Sequence, residues 1–477
     1  MRLGSAYVVN PPWPHQTEAL DFISDKAGAM LAMDMGTGKS RVVVDLIALK
    51  GYERVLILAP LSVVANVWPG EFTKHAPGLL DVLPLAGKST KARQETAAKA
   101  LGSGRPTAVV MNYDAIWRKP FGEWAMKQKW DLLVMDESHR IKAPGGVASR
   151  YCSRLSDRVP HRVALTGTPM SHSPLDIYAQ FRALDKWIYG TSFTRFRSRY
   201  AVMGGFNRMQ VVGYQREAEL RNLFYSRAYR VESGDVLDLP DTLTVNLKCD
   251  LGRDGRRLYN EMADEFVADV EGGQVTAGNA LSRLLRLQQI TSGYGRRDDG
   301  ADVEVDTAKA RVLEDVLTDI GREPVVVFTR FTHDLDVVHR IAAKVGVPSY
   351  EVSGRRKDLA DWTGGVLAVQ IQAGGLGLDL TLARYAIYYS LGFSLGDYSQ
   401  SMARLHRPGQ SRPVEYIHIL ASDTVDETVM DALARREAVI DHILQEARDG
   451  ADKTGTGRHG RGLRGADRGT AQVGVRG

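Results

Sequence analysis

The string DMGTGKS, residues 34–40, combines two glycines with a lysine and a hydroxyl side chain. Gly36 and Gly38 let backbone N–H groups curl around phosphate oxygens, and a helix that follows points its positive end at them. Lys39 suits the β- and γ-phosphates of a nucleotide, and the Ser40 hydroxyl suits Mg²⁺. The longer form of this pattern has one more glycine where a methionine stands, so the match is to the shortened form. The alternative is an ordinary turn.

A second candidate site is DESH, residues 136–139, at the end of the apolar run DLLVM. In a nucleotide hydrolase, an acidic residue that emerges from a strand beside the phosphate loop holds Mg²⁺, which assigns that role to Asp136. Glu137 is then placed to orient or deprotonate an attacking water. An acidic loop end is common in α/β proteins, but one that follows a phosphate-loop candidate favours the chemical interpretation.

Short apolar strands alternate with helix-length amphipathic segments in two stretches, which predicts parallel sheets covered by helices. The predicted strands are 29–34, 54–60, 107–112, 131–137 and 162–168 in the first stretch, and 324–329, 366–372, 385–390 and 415–420 in the second. Helices are predicted at 333–345 and at about 424–447. The pattern predicts an α/β protein with two lobes.

The predicted domains are a first lobe at 1–184, a mainly helical insertion at 185–305, a second lobe with its closing helix at 306–447, and a flexible Gly/Arg-rich tail at 448–477. Within the insertion, residues 187–230 interleave aromatics with arginines. A nucleic-acid surface is one interpretation. We favour a protrusion whose aromatics pack inward and whose arginines are solvated.

Composition excludes several classes of protein. The 477 residues are 44% hydrophobic and 25% charged, mean hydropathy is −0.23, and two cysteines are present. These values argue against a membrane protein, a disulfide-stapled secreted domain and a disordered chain, and they predict a soluble intracellular protein. Residues 448–477 carry +4 of the net charge of +5. That tail could contact nucleic-acid phosphates or could be a solvated terminus, and the sequence leaves both open.

The motifs, in their order, resemble superfamily-two helicases and, more narrowly, the Swi/Snf family of double-stranded-DNA translocases. Besides DMGTGKS and DESH, the resemblance rests on PWPHQTEAL (12–20), LAPLSVVANVWPGEF (58–72), LTGTPMSHSPLDIYAQFRAL (165–184), SRAYRVESGDVLDLPD (226–241), VVVFTRF (325–331), QAGGLGLDLTLA (372–383) and YSQSMARLHRPGQSRPV (398–414). His15 replaces the usual tyrosine, Thr37 stands where leucine is usual, and the basic pair of the linker is reduced to Arg227 and Arg230.

The resemblance implies two RecA-like P-loop lobes with ATP and Mg²⁺ between them. The implied catalytic residues are Lys39, Asp136, Glu137, Arg404 and Arg407, with the two arginines reaching across from the second lobe as arginine fingers. The implied metal ligands are Ser40 and Asp136. The implied ATP-binding residues are Gln16 (on the adenine base), Met35, Gly36, Thr37, Gly38, Lys39, Ser40, Arg41, Gly375 and Asp379. Asp379 is also expected to link the ATP site to the DNA track.

The resemblance further implies a duplex-DNA track with backbone and hydroxyl contacts from Ser62, Thr166, Gly167, Thr168, Thr329, Arg330 and Gly374. We therefore expect a monomeric, DNA-associated cytoplasmic motor that hydrolyses ATP, translocates on duplex DNA and acts on some DNA-bound protein without separating strands. A strand-separating helicase and a catalytically silent DNA-binding scaffold are the alternatives. No membrane partner is expected.

Overall fold

The computed structural model describes residues 10–65, 67–205, 210–271, 277–296, 302–372 and 378–451. The chain divides into two compact units, with the main boundary between Asp238 and Leu239. Across these ranges, every helix is too short or too polar to cross a membrane.

The first unit is built on one seven-stranded sheet in which every neighbouring pair is parallel. Its order is β3-β4-β2-β5-β6-β1-β9, and β7 and β8 form a separate antiparallel hairpin. The strands are β1 (Gly28–Met33), β2 (Arg54–Ala59), β3 (Asp81–Pro84), β4 (Thr107–Asn112), β5 (Leu132–Asp136), β6 (His161–Leu165), β7 (Ala201–Gly204), β8 (Gln210–Tyr214) and β9 (Ala228–Val231).

Helices cover both faces of this sheet. They are α1 (Pro14–Ser24), α2 (Lys39–Lys50), α3 (Leu61–Val64), α4 (Val67–His75), α5 (Thr90–Gly102), α6 (Tyr113–Ile116), α7 (Phe121–Ala125), α8 (Val147–Ser156), α9 (Ile177–Leu184), α10 (Phe193–Tyr200), α11 (Glu217–Tyr225) and α12 (Ser233–Val236). Along β1, Met30 packs into the core on one face, and Ala29 and Leu31 pack into the core on the other. Burial on both faces explains why this strand is a continuous apolar run.

The second unit contains a six-stranded parallel sheet of order β10-β17-β16-β13-β15-β14 and a small antiparallel pair, β11 and β12. Its strands are β10 (Thr242–Cys249), β11 (Tyr294–Arg296), β12 (Asp302–Glu304), β13 (Val325–Thr329), β14 (Ser349–Val352), β15 (Val366–Gln370), β16 (Tyr385–Tyr388) and β17 (Val414–Ala421). The remaining helices are α13 (Arg253–Glu271), α14 (Ala277–Thr291), α15 (Ala308–Ile320), α16 (Thr332–Lys344), α17 (Leu395–Leu405) and α18 (Val425–Ala451). The predicted α/β class with two parallel sheets is confirmed.

The interval 185–305, which is predicted as a mainly helical insertion, also contains strands. This interval supplies the edge strand β9 to the first sheet and the edge strand β10 to the second. β10 consists of exposed and half-buried residues, and β9 has four residues, so neither resembles the apolar runs that identified the central strands. Residues 448–451 belong to α18, and the rest of the predicted tail lies outside the described residues.

In the aromatic and arginine-rich segment, aromatic side chains of α10 and α11 pack inward, whereas Trp187 is exposed. Phe196 and Tyr200 on α10 and Phe224 on α11 are buried, and the rings of Phe196 and Tyr200 lie 5.0 Å apart. Arg195 and Arg199 are exposed. The aromatics thus form a local core, and the arginines are solvated on its surface.

Candidate active site

Three adjacent strands bring the first unit's candidate residues to one edge of its sheet. β6 lies between β1 and β5, and the three run parallel. Because the carboxyl ends of parallel strands share an edge, the loops 34–38, 136–139 and 166–168 all leave the sheet there. Ligands of open α/β sheets bind at such an edge.

The loop between β1 and α2 needs its glycines. Gly36 and Gly38 have φ of +81° and +86°, in the left-handed region that favours glycine. A Cβ on Gly38 would stand 2.2 Å from Nε2 of Gln16. The backbone therefore curls as a phosphate loop requires, with Met35 half-buried and Thr37 buried within it.

Lys39 begins α2, and its ammonium lies over the loop. Nζ donates to the carbonyl oxygens of Met33 at 2.8 Å and Asp34 at 3.0 Å. Ser40 follows in the first turn of the helix and is half-buried. A cation and a hydroxyl at a helix N-terminus behind a glycine-rich turn form a phosphate-binding arrangement.

The side chain of Gln16 contacts the loop directly. Its Nε2 donates to the carbonyl oxygen of Thr37 at 3.1 Å, and its Oε1 accepts from the backbone N–H of Trp13 at 2.9 Å. His15 contacts the same Thr37 oxygen through Nε2 at 2.8 Å. α1 thus supports the phosphate loop, and the contact of Gln16 with adenine stays a prediction.

The side chain of Arg41, a member of the predicted ATP-binding set, turns away from the loop. It is buried, its Nε donates to both carboxylate oxygens of Asp45 at 2.9 and 2.8 Å, and its NH1 lies 2.7 Å from Nδ1 of His75. Burial, reinforced by Arg41, lowers the pKa of His75 to about 4. The Arg41 guanidinium therefore fastens α2 to α4.

Asp136 ends β5 as a buried carboxylate held on both oxygens. Oδ2 accepts from the indole N–H of Trp68 at 3.0 Å, and Oδ1 accepts from the backbone N–H of Glu137 at 3.0 Å. Burial raises the pKa of Asp136, the Glu137 carboxylate raises it further, and Lys39 opposes the rise.

These residues fit a magnesium ion. A divalent cation favours the ionised form of a buried carboxylate such as Asp136. Mg²⁺ in such enzymes needs one or two protein oxygens, with phosphate and water supplying the rest. Asp136 and the Ser40 hydroxyl can provide those oxygens, and clusters of three or more acidic, histidine or cysteine side chains are absent from the described residues.

Glu137 adopts a strained backbone. Its φ of +49° and ψ of +53° lie in the left-handed region, which is unusual for a residue with a side chain. Its Oε2 is buried and lies 3.4 Å from Nδ1 of His139, which in turn is 3.3 Å from Oγ1 of Thr166. Such strain persists where surrounding structure holds it, often at functional sites.

The predicted DNA-contact residues of loop 166–168 lie against the phosphate loop. Thr166 is fully buried, and its Oγ1 accepts from the backbone N–H of Thr168 at 3.1 Å. A Cβ on Gly167 would stand 3.5 Å from the carbonyl oxygen of Met33. The Thr166 hydroxyl therefore links the DESH segment to loop 166–168 inside the protein and is not a surface group.

The second unit also turns two predicted DNA contacts inward. Thr329 at the end of β13 is fully buried. The guanidinium of Arg330 donates to Oε1 of Gln288 on α14, and burial lowers the pKa of Arg330. Gln288 is itself buried and donates to the carbonyl oxygen of Leu391 at 2.8 Å. This packing does not favour side-chain contacts between Thr329 or Arg330 and a ligand on the protein surface.

Arg404 lies in the last turn of α17, and Arg407 follows two residues after the helix ends. Between them, Nε2 of His406 lies 2.8 Å from the carbonyl oxygen of Pro240, which comes just before β10. The Nε atoms of both arginines are buried. The two arginines therefore lie near the amino ends of β10 and β17, whereas Arg330 lies at the carboxyl end of β13.

Four predicted residues remain: Asp379, Gly374, Gly375 and Ser62. Asp379 is exposed, and its Oδ1 accepts from the N–H and hydroxyl of Thr381, which is a local turn. Gly374 and Gly375 lie outside the described residues. Ser62 lies in α3, but its side chain is outside the part of the chain that the structure describes.

Sequence reasoning missed the roles of Trp68 and Gln180. Trp68 donates to Asp136, and Gln180 accepts from the hydroxyl of Ser138 at 2.7 Å and donates to the carbonyl oxygen of Pro169 at 2.7 Å. Both residues lie inside motif segments quoted above, 58–72 and 165–184. Their position in these segments is the only sequence signal for a role, because residue spacing does not reveal which partner each side chain contacts.

Known proteins resemble this chain over most of its length. A family model described as the SNF2-related domain matches residues 15–293, more than half of the chain. A phage protein called p41, from Acyrthosiphon pisum secondary endosymbiont phage 1, is 26% identical and aligns over 91% of this chain and 98% of its own length. The chain also matches an uncharacterized ATP-dependent helicase of Mycoplasma genitalium, at 23% identity over 91% of this chain.

The chain spans 42% of that helicase's length and 44% of a chromodomain-helicase-DNA-binding protein 1-like of Danio rerio, which is 24% identical. Among solved structures, a Sulfolobus solfataricus SWI2/SNF2 ATPase core in complex with dsDNA has 22% identity and a TM-score of 0.45, with 95% of this chain and 97% of that chain covered. On the extent of the family match, the chain belongs to the SNF2-related family of helicase superfamily two, and it is an ATP hydrolase.

Proposed function

We propose that the protein is a DNA-stimulated ATPase that translocates on double-stranded DNA and displaces or remodels DNA-bound proteins without separating the strands. The observation that carries the hydrolytic part is the convergence of Lys39, Asp136 and Glu137 on one edge of the first sheet. Membership of the SNF2-related family supports DNA as the polymer. A DNA-associated location in the cell follows from that proposal.

In the proposed reaction, the backbone N–H groups of loop 34–38 and the ammonium of Lys39 bind the triphosphate. Ser40 and Asp136 would hold Mg²⁺, which would neutralise charge on the phosphates. Glu137 orients the attacking water and accepts its proton, and the His139 ring lies 3.4 Å from its carboxylate. Arg404 and Arg407 stabilise charge on the transferring phosphoryl group, a contribution worth ~10³–10⁵ in rate for a well-placed guanidinium.

The decisive experiment measures ATP turnover by the full chain with duplex DNA, single-stranded DNA, forked DNA, RNA and no nucleic acid. Stimulation by duplex DNA at least as strong as by single strands supports the proposal. Turnover that no nucleic acid changes would contradict DNA stimulation, and the absence of turnover in every case would favour the catalytically silent scaffold.

Translocation is separated from unwinding by two substrates used side by side. Displacement of a third strand from a triplex, with a forked duplex left paired, supports a duplex translocase. Unwinding of the fork without triplex displacement would instead identify a strand-separating helicase. The Lys39→Ala variant, which should lose ATP binding, is the control for both assays.

A further inference from the structure

Trp68 is the bulkiest fully buried side chain next to the proposed catalytic edge. A buried indole N–H needs a hydrogen-bond partner, and a backbone carbonyl is a sufficient one, as Trp130 shows by donating to Ala125 at 2.9 Å. The N–H of Trp68 instead meets Oδ2 of Asp136 at 3.0 Å. An aromatic residue from the segment after β2 is therefore bonded to a carboxylate at the end of β5.

The helix that carries Trp68 is also bonded to the helix behind the phosphate loop. On the buried face of α4, Trp68 is followed by Phe72 and then by His75. Nδ1 of His75 lies 2.7 Å from the guanidinium of Arg41, two residues after Lys39. α4 thus touches the Asp136 carboxylate near one end and the helix that starts at the phosphate loop near the other.

The two hydrogen bonds to Asp136 restrict how its carboxylate can rotate. The backbone N–H of Glu137 holds Oδ1, and the indole holds Oδ2. Removal of the indole donor leaves Oδ2 buried with one fewer partner, and the carboxylate is free to adopt other rotamers. A metal ligand that is not held in orientation binds its ion more weakly.

We infer that Trp68 is a positioning residue for magnesium binding, because its indole N–H orients the Asp136 carboxylate. The inference rests on the proposed function, in which Asp136 and Ser40 hold Mg²⁺. Trp68 does not touch the nucleotide in this assignment, and it acts only through Asp136.

The test measures binding of a fluorescent, non-hydrolysable ATP analogue to the full chain over a range of Mg²⁺ concentrations. Trp68→Phe keeps an aromatic ring but lacks the N–H, and it should raise the Mg²⁺ concentration for half-maximal binding about tenfold, the lower end of the roughly 10- to 100-fold expected when a group that orients a metal ligand is removed. Binding without Mg²⁺ should not change. Trp130→Phe is the matched control, since it removes a buried indole N–H that donates to a backbone carbonyl.

A double-mutant cycle with Asp136→Asn separates positioning from general damage. If Trp68 acts through Asp136, Trp68→Phe adds no further Mg²⁺ effect to Asp136→Asn. Trp68→Met, whose flexible side chain fills much of the space, is a second variant without the N–H and covers the case in which the phenylalanine variant does not fold.

Two results would overturn the inference: equal shifts in the Trp68 and Trp130 variants, or no shift in either Trp68 variant while Asp136→Asn abolishes the Mg²⁺ effect. If Asp136→Asn itself leaves the Mg²⁺ dependence unchanged, the metal assignment of the proposed function fails as well. That last outcome distinguishes failure of the proposed function from failure of the inference alone.

Discussion

The side-chain amide of Gln16 donates to the carbonyl oxygen of Thr37 at 3.1 Å, across a sequence separation of 21 residues. This bond joins α1 to the phosphate loop at the residue before Gly38. The absence of a side chain on Gly38 makes the approach possible, because a Cβ there would stand 2.2 Å from the Gln16 nitrogen. The first helix and the loop therefore form one supported element.

Gly38→Ala should weaken ATP binding by at least about tenfold, because it combines a left-handed backbone with a clash against Gln16. Gly51→Ala is a matched control: Gly51 ends the same helix at φ +65°, but a Cβ there meets nothing within 4 Å. Both variants carry the backbone cost of roughly 1–2 kcal/mol in unfolding free energy. Titration with a fluorescent ATP analogue should show a loss of affinity in Gly38→Ala alone. An equal loss of affinity in both variants would contradict the role of Gln16.

Lys39→Ala and Glu137→Gln should separate binding from hydrolysis. The lysine variant should lose about 10- to 100-fold in ATP affinity, since hydrogen bonds to charged groups contribute about 1.5–3 kcal/mol each. The glutamine variant should keep its ATP affinity and lose on the order of 10²–10⁴ in kcat, because it lacks the proposed base. Nucleotide titration and single-turnover hydrolysis check the pair. Equal loss of binding in both variants would refute the assigned roles.

Thr166→Val should lower kcat about fivefold and leave the DNA affinity unchanged. The Thr166 hydroxyl is buried and bonds to Thr168 and His139, so its loss disturbs the support of Glu137, and the protein should lose about 1 kcal/mol in unfolding free energy. Hydrolysis assays at saturating DNA, together with DNA titrations at several salt concentrations, test this. A drop in DNA affinity with kcat unchanged would instead favour a direct DNA contact.

The contribution of His418 to the stability of the second unit should be lost as the pH drops from about 6.5 to about 4. His418 is fully buried, stacked on Tyr388 with ring centroids 4.9 Å apart and bonded to the hydroxyl of Tyr398 at 3.0 Å. Burial lowers the pKa of His418 to about 4. Between these two pH values, His418 therefore binds a proton in the unfolded chain but stays neutral in the folded chain. The stabilisation from neutral His418 is fully present above the unfolded pKa of about 6.5. It is lost on acidification, by up to about 3 kcal/mol in unfolding free energy.

Urea unfolding of the full chain between pH 4.5 and 7.5 measures this dependence. His418→Gln can keep a hydrogen bond to Tyr398 and does not titrate, so its unfolding midpoint should fall less on acidification than that of the unaltered chain. His333→Gln, a change at a half-buried histidine of the second unit, is the control. A pH profile that His418→Gln leaves as steep as before would show that His418 is not the group responsible.

Removal of residues 452–477 should reduce the salt dependence of DNA binding. This segment holds six basic and two acidic residues, and the slope of log affinity against log salt becomes shallower by roughly 0.9 for each phosphate that the shortened chain no longer neutralises. ATPase activity at saturating DNA should change little. Replacement of the segment by a glycine- and serine-rich stretch of equal length is the control, and an unchanged slope would show that the segment does not contact DNA.

The sequence by itself determined the α/β class, the central strands, and the residues of the phosphate loop and the DESH motif. Buried parallel strands are continuous apolar runs, and loop chemistry depends on residue types at short spacings, so both are local properties. The sequence did not predict the edge strands β9 and β10. An edge strand is half exposed, and it is identified by the strand with which it pairs.

The tertiary structure alone decided which partner each polar side chain has. It directed Arg41 to Asp45, Arg330 to Gln288 and Thr166 to His139, and it brought Trp68 to Asp136 from 68 residues away. A buried polar group must find a hydrogen-bond partner, and the partner that folding supplies depends on how strands and helices pack rather than on separation along the chain.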